Sequence, residues 1–400
     1  MDRGRADLRP RSRARVAHDD DGAGRLPVKL EQLGYERLEP EPSHEHVGFD
    51  RLHKLDRFDR FDRFDRHDRD DRLNRFVELL VKPQQRDHAA VMTTLAPIAE
   101  QRLTFECFGS SCTVIVADAA HPEAARADAT AVRARLLEWH MQFSRFRDDS
   151  ELSRLNADPH PTVPVTPMMR RVVAAAVTAA TDTGGLVDPT LVSEIERAGY
   201  AGHLDGPGLP LTQTLIDGPL RVPATPHADA RWQHVIADRR SGTVTRPPGV
   251  RLDPGGIAKG VFADELGGSL ASHDAYVVEC AGDLRLGGRA GIVRAVHVAS
   301  PFGYEIIHTF ELSAGGVATS GIGKRSWLGP DGSPAHHLLD PGSGRPAFTG
   351  VVQATAIAPT ATVAEARSKA ALLSGPDAAA RWLPDGGVIV LDDGEIRVIE

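Results

Sequence analysis

A triplet repeat near the N-terminus limits how much of this chain can fold. The unit Asp-Arg-Phe occurs three times in succession over residues 56–64, and residues 65–67 read Asp-Arg-His. Period three matches neither a helical stripe nor the alternation of a strand, and opposite charges dominate it. Such a segment buries too little apolar surface to offset the entropy of ordering it. We therefore expect residues 1–91 to form a disordered, charged, low-complexity extension and residues 92–400 to form the folded domain.

This extension has two interpretations. In the first, it is an interaction tail with a function of its own. In the second, it is a disordered extension without a role of its own, and it is not translated if Met92, just ahead of the ordered region, is the true start. The second interpretation is favoured, because a short repeat of opposite charges is typical of low-complexity sequence.

The sequence predicts neither export nor insertion into a membrane. Residues 1–5 lead into charged sequence, and residues 93–101, which follow Met92, contain no long apolar run. Neither start therefore offers the apolar core of a signal peptide. No stretch approaches the roughly 18 to 20 apolar residues that span a bilayer. No cysteine follows an apolar run, as a lipid-attachment site requires. We expect a cytoplasmic protein without a transmembrane segment.

Charge and cysteine usage narrow the class of partner. The net charge of −8 argues against nucleic acid, since a phosphate backbone recruits a basic surface. Hydrophobic residues make up 41% of the chain, which is enough for a core. Cys107, Cys112 and Cys280 form no C-x-x-C pair, so we expect buried thiols in a reducing compartment.

The order of the predicted elements favours an α+β fold. Apolar residues recur at helical spacing over residues 121–146, and a second helix is predicted over 167–183 with Thr166 as its N-cap. Short strands separated by glycine turns follow, and a hairpin with an Asp-Gly turn ends the chain. The strands are predicted in two runs over 103–117 and at 235–237, 249–252, 275–279, 293–299, 308–312, 387–391 and 395–399. Helices do not alternate with these strands, so we expect antiparallel sheets.

One segment has the features of an anion site. Residues 251–260 read R-L-D-P-G-G-I-A-K-G, in which a predicted strand ends at Asp253, glycines allow a tight turn and a helix begins. A helix N-terminus presents unpaired N–H groups and a positive dipole, and Lys259 would add a full charge. The order of residues fits neither a P-loop nor a dinucleotide fingerprint. The segment is therefore either a phosphate site or a structural turn.

Two neighbouring segments combine small hydroxyl residues with glycine. Residues 317–321 read V-A-T-S-G, and residues 336–344 carry His337 and Asp340 just before a Pro-Gly turn. Small hydroxyl residues beside glycine can approach a ligand closely, and a loop before a Pro-Gly turn can present His337 and Asp340. The competing interpretation is a surface turn in which a nearby carboxylate caps the histidine. Both interpretations stay open on the residues alone.

A third helix is predicted over residues 362–373. Thr362 and Glu365 fit a capping box, and Glu365 with Lys369 fits an i,i+4 ion pair. That structural account competes on even terms with a functional one, in which the glutamate binds a metal.

Taken together and in this order, the segments resemble the ApbE-type FAD:protein FMN transferases. The resemblance runs from about Phe105 to Pro376. The matching segments are Phe143–Asn156 (ending S-E-L-S-R-L-N), Val187–Thr190, Asp253–Gly260, Ala281–Asp283, Ala318–Gly321 (A-T-S-G), His337–Gly344 (H-x-x-D-P-x-x-G) and Ala358–Ala361 (A-P-T-A).

The resemblance implies an α+β protein that holds flavin in a cleft between its two parts. It places the substrate FAD near a set of residues spread along these motifs. They are Ser144, Phe146, Asp188, Asp253, Gly255, Lys259, Thr319, Ser320 and His337. It also implies Mg²⁺ as cofactor, bound by the backbone carbonyl of Gly256 and by Glu365.

The predicted metal position departs from the family pattern. The resemblance implies an Asp and a Thr four residues apart on the last helix, where this chain has Glu365 and Lys369. Glutamate keeps a hard oxygen ligand for magnesium. Lysine removes an oxygen ligand and adds a cation that would repel the metal, so either water completes the octahedron, or Lys369 turns aside, or the site is weakened. Glu365 is therefore predicted as a ligand, and Lys369 is not.

The resemblance implies attack by a Thr or Ser hydroxyl of an acceptor protein on the FMN-side phosphorus of FAD, with release of AMP. Lys259 would stabilise charge on the pyrophosphate. His337 would take the proton, because its usual pKa of about 6.5 suits this task, and Asp340 would orient it or order its loop. The acceptor would be a flavin-carrying redox subunit with a motif of the D-x-x-[ST]-G-A-[ST] kind.

Two alternatives stay open. One is a magnesium-dependent FAD pyrophosphatase, in which water replaces the protein hydroxyl and the products are FMN and AMP. The other is a non-catalytic FAD-binding protein whose metal site has degraded, an alternative that Lys369 favours.

Overall fold

The computed structural model describes residues 100–204, 208–303 and 305–400. These residues belong to one compact unit. The predicted extension at 1–91 and the alternative start at Met92 lie outside the described residues.

Strands outnumber helices in the described part of the chain. The strands are β1 Glu100–Cys107, β2 Ser110–Ala117, β3 Thr162–Pro164, β4 Ile236–Asp238, β5 Thr243–Thr245, β6 Ala275–Cys280, β7 Asp283–Gly287, β8 Arg294–Ala299, β9 Ile306–Leu312, β10 Gly315–Gly321, β11 Ser326–Leu328, β12 Pro334–His336, β13 Leu339–Asp340, β14 Arg345–Pro346, β15 Val351–Ala358, β16 Gly387–Leu391 and β17 Ile396–Ile399. The helices are α1 Pro122–Gln142, α2 Glu151–Ala157, α3 Pro167–Asp182, α4 Val192–Arg197, α5 Leu211–Ile216, α6 Ala258–Ser269 and α7 Ala361–Leu373, with 3₁₀ turns at Arg231–His234, Pro254–Gly256 and Ala379–Trp382.

One eight-stranded sheet organises the fold, in the order β1-β2-β6-β7-β10-β15-β16-β17. Every neighbouring pair in it is antiparallel. Smaller sheets are formed by β3-β5-β4, β8-β9, β11-β12 and β13-β14. The predicted α+β class is confirmed.

The two faces of the large sheet bury different partners. Alternate side chains of a strand point to opposite faces. Val278 of β6 packs with α1 and α6 in one core, whereas Val277 packs with β8 in a second core on the other face. The helices α6 and α7 therefore lie on the same side of the sheet, where α6 contacts β6 and β7 and α7 contacts β10 and β15.

Several local predictions are confirmed by their turns and caps. Phe108 and Gly109 join β1 to β2 with φ of 55° and 71°, which is the two-residue hairpin turn in which both central residues take positive φ. Thr166 caps α3, since its Oγ1 accepts from the backbone N–H of Met169 at 3.3 Å. The terminal hairpin turns at Gly394, whose φ is +88°. The predicted first helix is shorter than expected and ends at Gln142.

The predicted strand at residues 249–252 is wrong, because Gly249 lies in a turn and residues 250–252 belong to no strand. The side-chain amide of Asn156 bonds to it instead. Its Nδ2 donates to the Leu252 carbonyl at 2.8 Å, and its Oδ1 accepts from the Leu252 N–H at 2.7 Å. One amide at the end of α2 thus replaces the strand partner that the sequence pattern predicted.

The predicted capping box at the last helix is also wrong. Thr360 is the N-cap of α7 and accepts from the Val363 N–H at 3.3 Å. Thr362 instead donates its hydroxyl to Asp264 of α6 at 2.6 Å. Glu365 is thus left for another role, and its side chain is fully buried.

All three cysteines are buried free thiols, as predicted. Among the described residues, no helix is both long enough and apolar enough to cross a membrane.

Candidate active site

Four charged side chains meet where α6, α7 and β7 converge. Lys259 of α6 forms an ion pair with Asp283 of β7, and its Nζ lies 3.2 Å from Glu365 Oε1. Lys369 Nζ, one turn further along α7, lies 3.1 Å from the same oxygen. We call these four residues the cleft cluster. Their side chains are 18% exposed at most, so the charges compensate one another with little help from water.

A glycine allows the two helices of the cleft cluster to touch. A Cβ at Gly260 would lie 2.7 Å from the Ala361 carbonyl oxygen, which is too close for any side chain. The Gly260 N–H donates to Glu365 Oε2 at 2.8 Å. The Glu365 carboxylate of α7 therefore contacts the first turn of α6. Its Oε2 accepts from the Gly260 N–H, and its Oε1 contacts the amines of Lys259 and Lys369.

Burial and opposite charge set the ionisation of the cleft cluster. Burial raises the pKa of Asp283 to about 6 against the opposing effect of Lys259. Burial would also raise the pKa of Glu365, but Lys259 and Lys369 outweigh it and hold that pKa below its usual value. Burial lowers the pKa of Lys259 less than Asp283 and Glu365 raise it, so this amine stays charged. At neutral pH the two lysines therefore face two carboxylates.

Asp253 and Gly255 shape the turn that leads into α6. Asp253 Oδ1 accepts from the Gly255 N–H at 2.9 Å, and its Oδ2 lies 3.0 Å from Arg145 Nε. The Asp253 N–H donates to the Pro189 carbonyl at 2.8 Å. Both predicted FAD contacts thus lie in one turn, next to the segment that carries Asp188.

Asp188 has a free oxygen inside the protein. Its Oδ1 accepts from the Thr190 N–H at 2.8 Å and from the Thr190 hydroxyl at 2.6 Å. Its Oδ2 is buried and has no hydrogen-bond partner among the residues that the structure describes. Burial raises the pKa of this carboxyl, with the bonds to Thr190 opposing the rise. A ligand donor at this position would satisfy it.

An aromatic stack holds the motif of Ser144 and Phe146. The Arg145 guanidinium lies over the rings of Phe146 at 4.4 Å and Tyr200 at 4.7 Å. Tyr200 stacks on Trp327 with ring centroids 5.2 Å apart. Ser144 Oγ accepts from the Phe146 N–H at 3.3 Å, which makes it a turn cap here. Sequence reasoning missed Arg145 and Tyr200, although an arginine between two aromatics, in F-S-R-F, is a signal for cation–π contact.

His337 lies at the edge of the cleft cluster as a neutral imidazole. Burial, reinforced by the positive charges of Arg325 and Lys369, holds its pKa well below 6.5. Its Nδ1 is buried without a hydrogen-bond partner in the described part of the chain. The neighbouring His336 is fully buried and packs its ring on Phe348.

Asp340 orders the loop after His337. Its Oδ1 accepts from the Thr225 N–H at 2.7 Å and from the Gly342 N–H at 3.1 Å, while its Oδ2 accepts from the Ser343 N–H at 3.2 Å. Of the two roles predicted for this residue, these bonds support loop ordering.

Thr319 and Ser320 lie in β10. Ser320 Oγ lies 2.8 Å from Ser368 Oγ on the α7 face, one residue before Lys369. Thr319 points to the other face and bonds Thr355 Oγ1 at 2.9 Å. The structure therefore brings Ser320 towards the cleft cluster and separates Thr319 from it. As FAD contacts, both stay predictions.

Glu279 is a site feature that sequence reasoning missed. Burial raises its pKa to about 7, opposed by the Gly282 N–H and by Lys324. Its Oε1 accepts from that N–H at 2.5 Å, while Oε2 is buried and unpaired within the described ranges. The available signal was a carboxylate inside the otherwise uncharged strand A-Y-V-V-E-C.

The residues predicted to bind magnesium do not fit a divalent cation as they stand. Both oxygens of Glu365 are engaged, one by two amines and the other by an N–H. Lys369 Cε lies 3.5 Å from where a side chain on Gly256 would begin, so the lysine stem bridges the two predicted ligands. Magnesium requires several oxygen ligands in octahedral array. No cluster of three or more His, Cys, Asp or Glu side chains that could hold a metal occurs in the described ranges.

The chain matches one protein family along most of its length. The family model described as "ApbE family" matches residues 108–391. The FAD:protein FMN transferase of Treponema pallidum (strain Nichols) is 29% identical over 263 residues, which cover 60% of this chain and 69% of that protein. The protein of the same name from Klebsiella pneumoniae (strain 342) is 27% identical over 288 residues, covering 69% and 79% respectively.

Solved structures share the fold. The ApbE protein of Thermotoga maritima superimposes with a TM-score of 0.62 at 28% identity, covering 76% of this chain and 97% of that one. The apo form of the flavinyl transferase ApbE from Pseudomonas stutzeri gives a TM-score of 0.61 at 24% identity, covering 77% and 97%.

Proposed function

This chain belongs to the ApbE family, and on that premise we propose that it transfers FMN from FAD to a hydroxyl side chain of another protein. The observation that carries the proposal is the pairing of a neutral imidazole with a buried cation pair. Nδ1 of His337 has no hydrogen-bond partner among the described residues, and the charge of Lys369 lowers the pKa of the ring. The amines of Lys369 and Lys259 both contact Oε1 of Glu365. Phosphoryl transfer needs these two elements, a proton acceptor next to positive charge.

In the proposed reaction, the acceptor hydroxyl oxygen forms a bond to the FMN-side phosphorus of FAD. The bond from that phosphorus to the bridging oxygen breaks, and AMP leaves with this oxygen. The hydroxyl proton passes to Nδ1 of His337. Burial and nearby positive charge make His337 a weak base in the free chain, and the negative charge of a bound pyrophosphate would raise its pKa and so its basicity.

The N-terminal turn of α6 supports pyrophosphate binding. Gly255 and Gly256 lie in a 3₁₀ turn directly before the helix, and Lys259 lies in its first turn. Backbone N–H groups at such a position favour an anion. Lys259 would stabilise charge that builds up on the leaving AMP phosphate.

Ser144, Phe146, Asp188 and Asp253 stay predicted FAD contacts. The unpaired Asp188 Oδ2 and the aromatic stack of Arg145 support a ligand on this side of the α6 turn. The acceptor motif D-x-x-[ST]-G-A-[ST], a magnesium requirement and a cytoplasmic location also stay predictions. If magnesium takes part, the engaged oxygens of Glu365 mean that it would enter with the pyrophosphate of FAD.

The test mixes the purified chain with FAD, magnesium and an acceptor domain that carries D-x-x-T-G-A-T, then weighs the acceptor by mass spectrometry and quantifies AMP. We expect one FMN on the acceptor threonine for each AMP released. His337→Ala should lose the adduct, whereas His160→Ala, at an exposed turn, should keep it. AMP without an adduct would indicate the pyrophosphatase, and bound FAD with neither product would indicate a flavin-binding protein.

A further inference from the structure

We propose that the Lys369 ammonium is a built-in replacement for the divalent cation, so that this chain binds and uses FAD without a metal bound to Glu365. The inference rests on the proposed function and specifies how its site neutralises the pyrophosphate. It starts from the disagreement between the predicted metal ligands and the geometry that the chain gives them.

The position of the amine carries the argument. Lys369 Nζ lies 3.1 Å from Glu365 Oε1, and the lysine stem lies against Gly256, with Cε 3.5 Å from where its Cβ would be. Gly256 and Glu365 are the two residues predicted to bind the metal. The ammonium therefore contacts one predicted ligand, Glu365, while the stem that carries it lies against the other, Gly256.

The rest of the carboxylate is also engaged. Glu365 is 0% exposed, Lys259 Nζ lies 3.2 Å from its Oε1, and the Gly260 N–H donates to its Oε2 at 2.8 Å. A metal would have to displace at least one amine from Glu365, and the positive charge of the displaced amine would then remain close to the metal. Asp283 does not offer a substitute ligand, because it already holds Lys259.

An ammonium can do part of what the metal would do. It carries one positive charge and three N–H donors, and the bond to Glu365 uses one of them. The side chain is 12% exposed, so the amine is not sealed from the cleft. The remaining N–H groups would donate to pyrophosphate oxygens as charge-assisted hydrogen bonds.

The first arm of the test measures magnesium binding by calorimetry without FAD, so it does not depend on turnover. The full chain should show no magnesium site in the millimolar range. Lys369→Thr, which removes the amine and adds an oxygen, should bind magnesium with an affinity about tenfold or more higher than the unaltered chain. Arg240→Thr loses one positive charge from an exposed arginine in the turn between β4 and β5 and should gain no site.

The second arm measures FAD affinity by fluorescence anisotropy with magnesium or with EDTA. For the full chain, the two values of Kd should agree within about twofold. Lys369→Thr should lose about tenfold in affinity in EDTA and regain it with magnesium. Lys369→Met, which has neither amine nor oxygen, should lose affinity in both buffers. Thermal melts of each variant exclude misfolding as the cause.

Two results would overturn the inference. One is sub-millimolar magnesium binding to the full chain, and the other is a loss of more than about tenfold in its FAD affinity in EDTA. A chain that binds FAD equally in both buffers but never labels an acceptor would support the inference while contradicting the proposed transferase reaction.

Discussion

Two of the clusters in which the described residues bury charge are built differently. The cleft cluster encloses two lysines and two carboxylates that contact one another. At the far end of β2, an edge cluster surrounds His273, whose Nδ1 lies 3.1 Å from Asp118 and whose Nε2 lies 2.9 Å from Asp128. Arg289 completes the edge cluster by bridging Asp118 and Asp274.

The difference lies in access to water. Asp128 and Arg289 of the edge cluster are each 52% exposed, so solvent shares their charge. The most exposed side chain of the cleft cluster is Lys259, at 18%. Enclosed ion pairs cost desolvation energy that their attraction often fails to recover. The edge cluster needs only a structural explanation, because it joins three segments of chain, whereas the cleft cluster indicates a site.

The largest effect is expected from Glu365→Gln, which keeps the shape of the side chain but removes its charge. Two amines then face Asp283 alone, so we expect kcat to fall about 100-fold and the free energy of unfolding to fall by about 3 kcal/mol. The KM for FAD should rise with the loss of kcat, because the displaced amines no longer meet the pyrophosphate. If kcat stays within about threefold of the value for the unaltered chain, the cleft cluster has only a structural role, like the edge cluster.

A smaller and purely structural effect is expected from His273→Ala. Losing both carboxylate contacts of a buried imidazole should lower the free energy of unfolding by about 2 kcal/mol in urea titrations. The value of kcat should stay within about twofold, because the edge cluster does not contact the cleft cluster. A large rate loss with unchanged stability would contradict the division between the two clusters.

The smallest effect concerns a buried histidine that belongs to neither cluster. Burial lowers the pKa of His336 to about 3, so the folded state favours its neutral form. The unfolded chain binds this proton below pH 6.5 and the folded chain does not, so stability rises with pH between about 3 and 6.5. We expect His336 to lower the free energy of unfolding by between about 1 and 2 kcal/mol when the pH falls from 7 to 5.

The measurement for His336 is the unfolding free energy at both pH values for the unaltered chain and for His336→Leu. In His336→Leu, the difference between the unfolding free energies at pH 7 and pH 5 should be smaller by about 1 to 2 kcal/mol. An unchanged slope would show that this ring is not protonated on unfolding. His273→Ala serves as the comparison, since that ring lies between carboxylates instead of apolar groups.

The sequence predicted the fold class, and local motifs named Lys259 and Glu365, which the structure brings together. Helical spacing, the Asp-Gly turn and the glycines before Lys259 are visible in short windows of sequence. The motifs that occur in the same order as in the family also identified His337 and Glu365 as candidate site residues.

The remaining features depend on contacts between distant parts of the chain. The partner of Leu252 is an amide 96 positions away, and the stack of Arg145 needs Tyr200 from another segment. No spacing rule identifies either. The capping box at Thr362 failed because Asp264 of another helix took its hydroxyl, a tertiary contact that outweighed local preference.

The Asn156 amide that holds Leu252 also makes the site sensitive to chemical ageing. Deamidation would convert its Nδ2 donor into a carboxylate oxygen facing the Leu252 carbonyl, so a bond of 2.8 Å would become a repulsion. The other half of the contact, from the Leu252 N–H, would survive. Because Leu252 directly precedes Asp253 and the turn that leads into α6, this one covalent change would loosen that turn without unfolding the sheet. Peptide mapping of stored protein against its residual FAD affinity would reveal the effect.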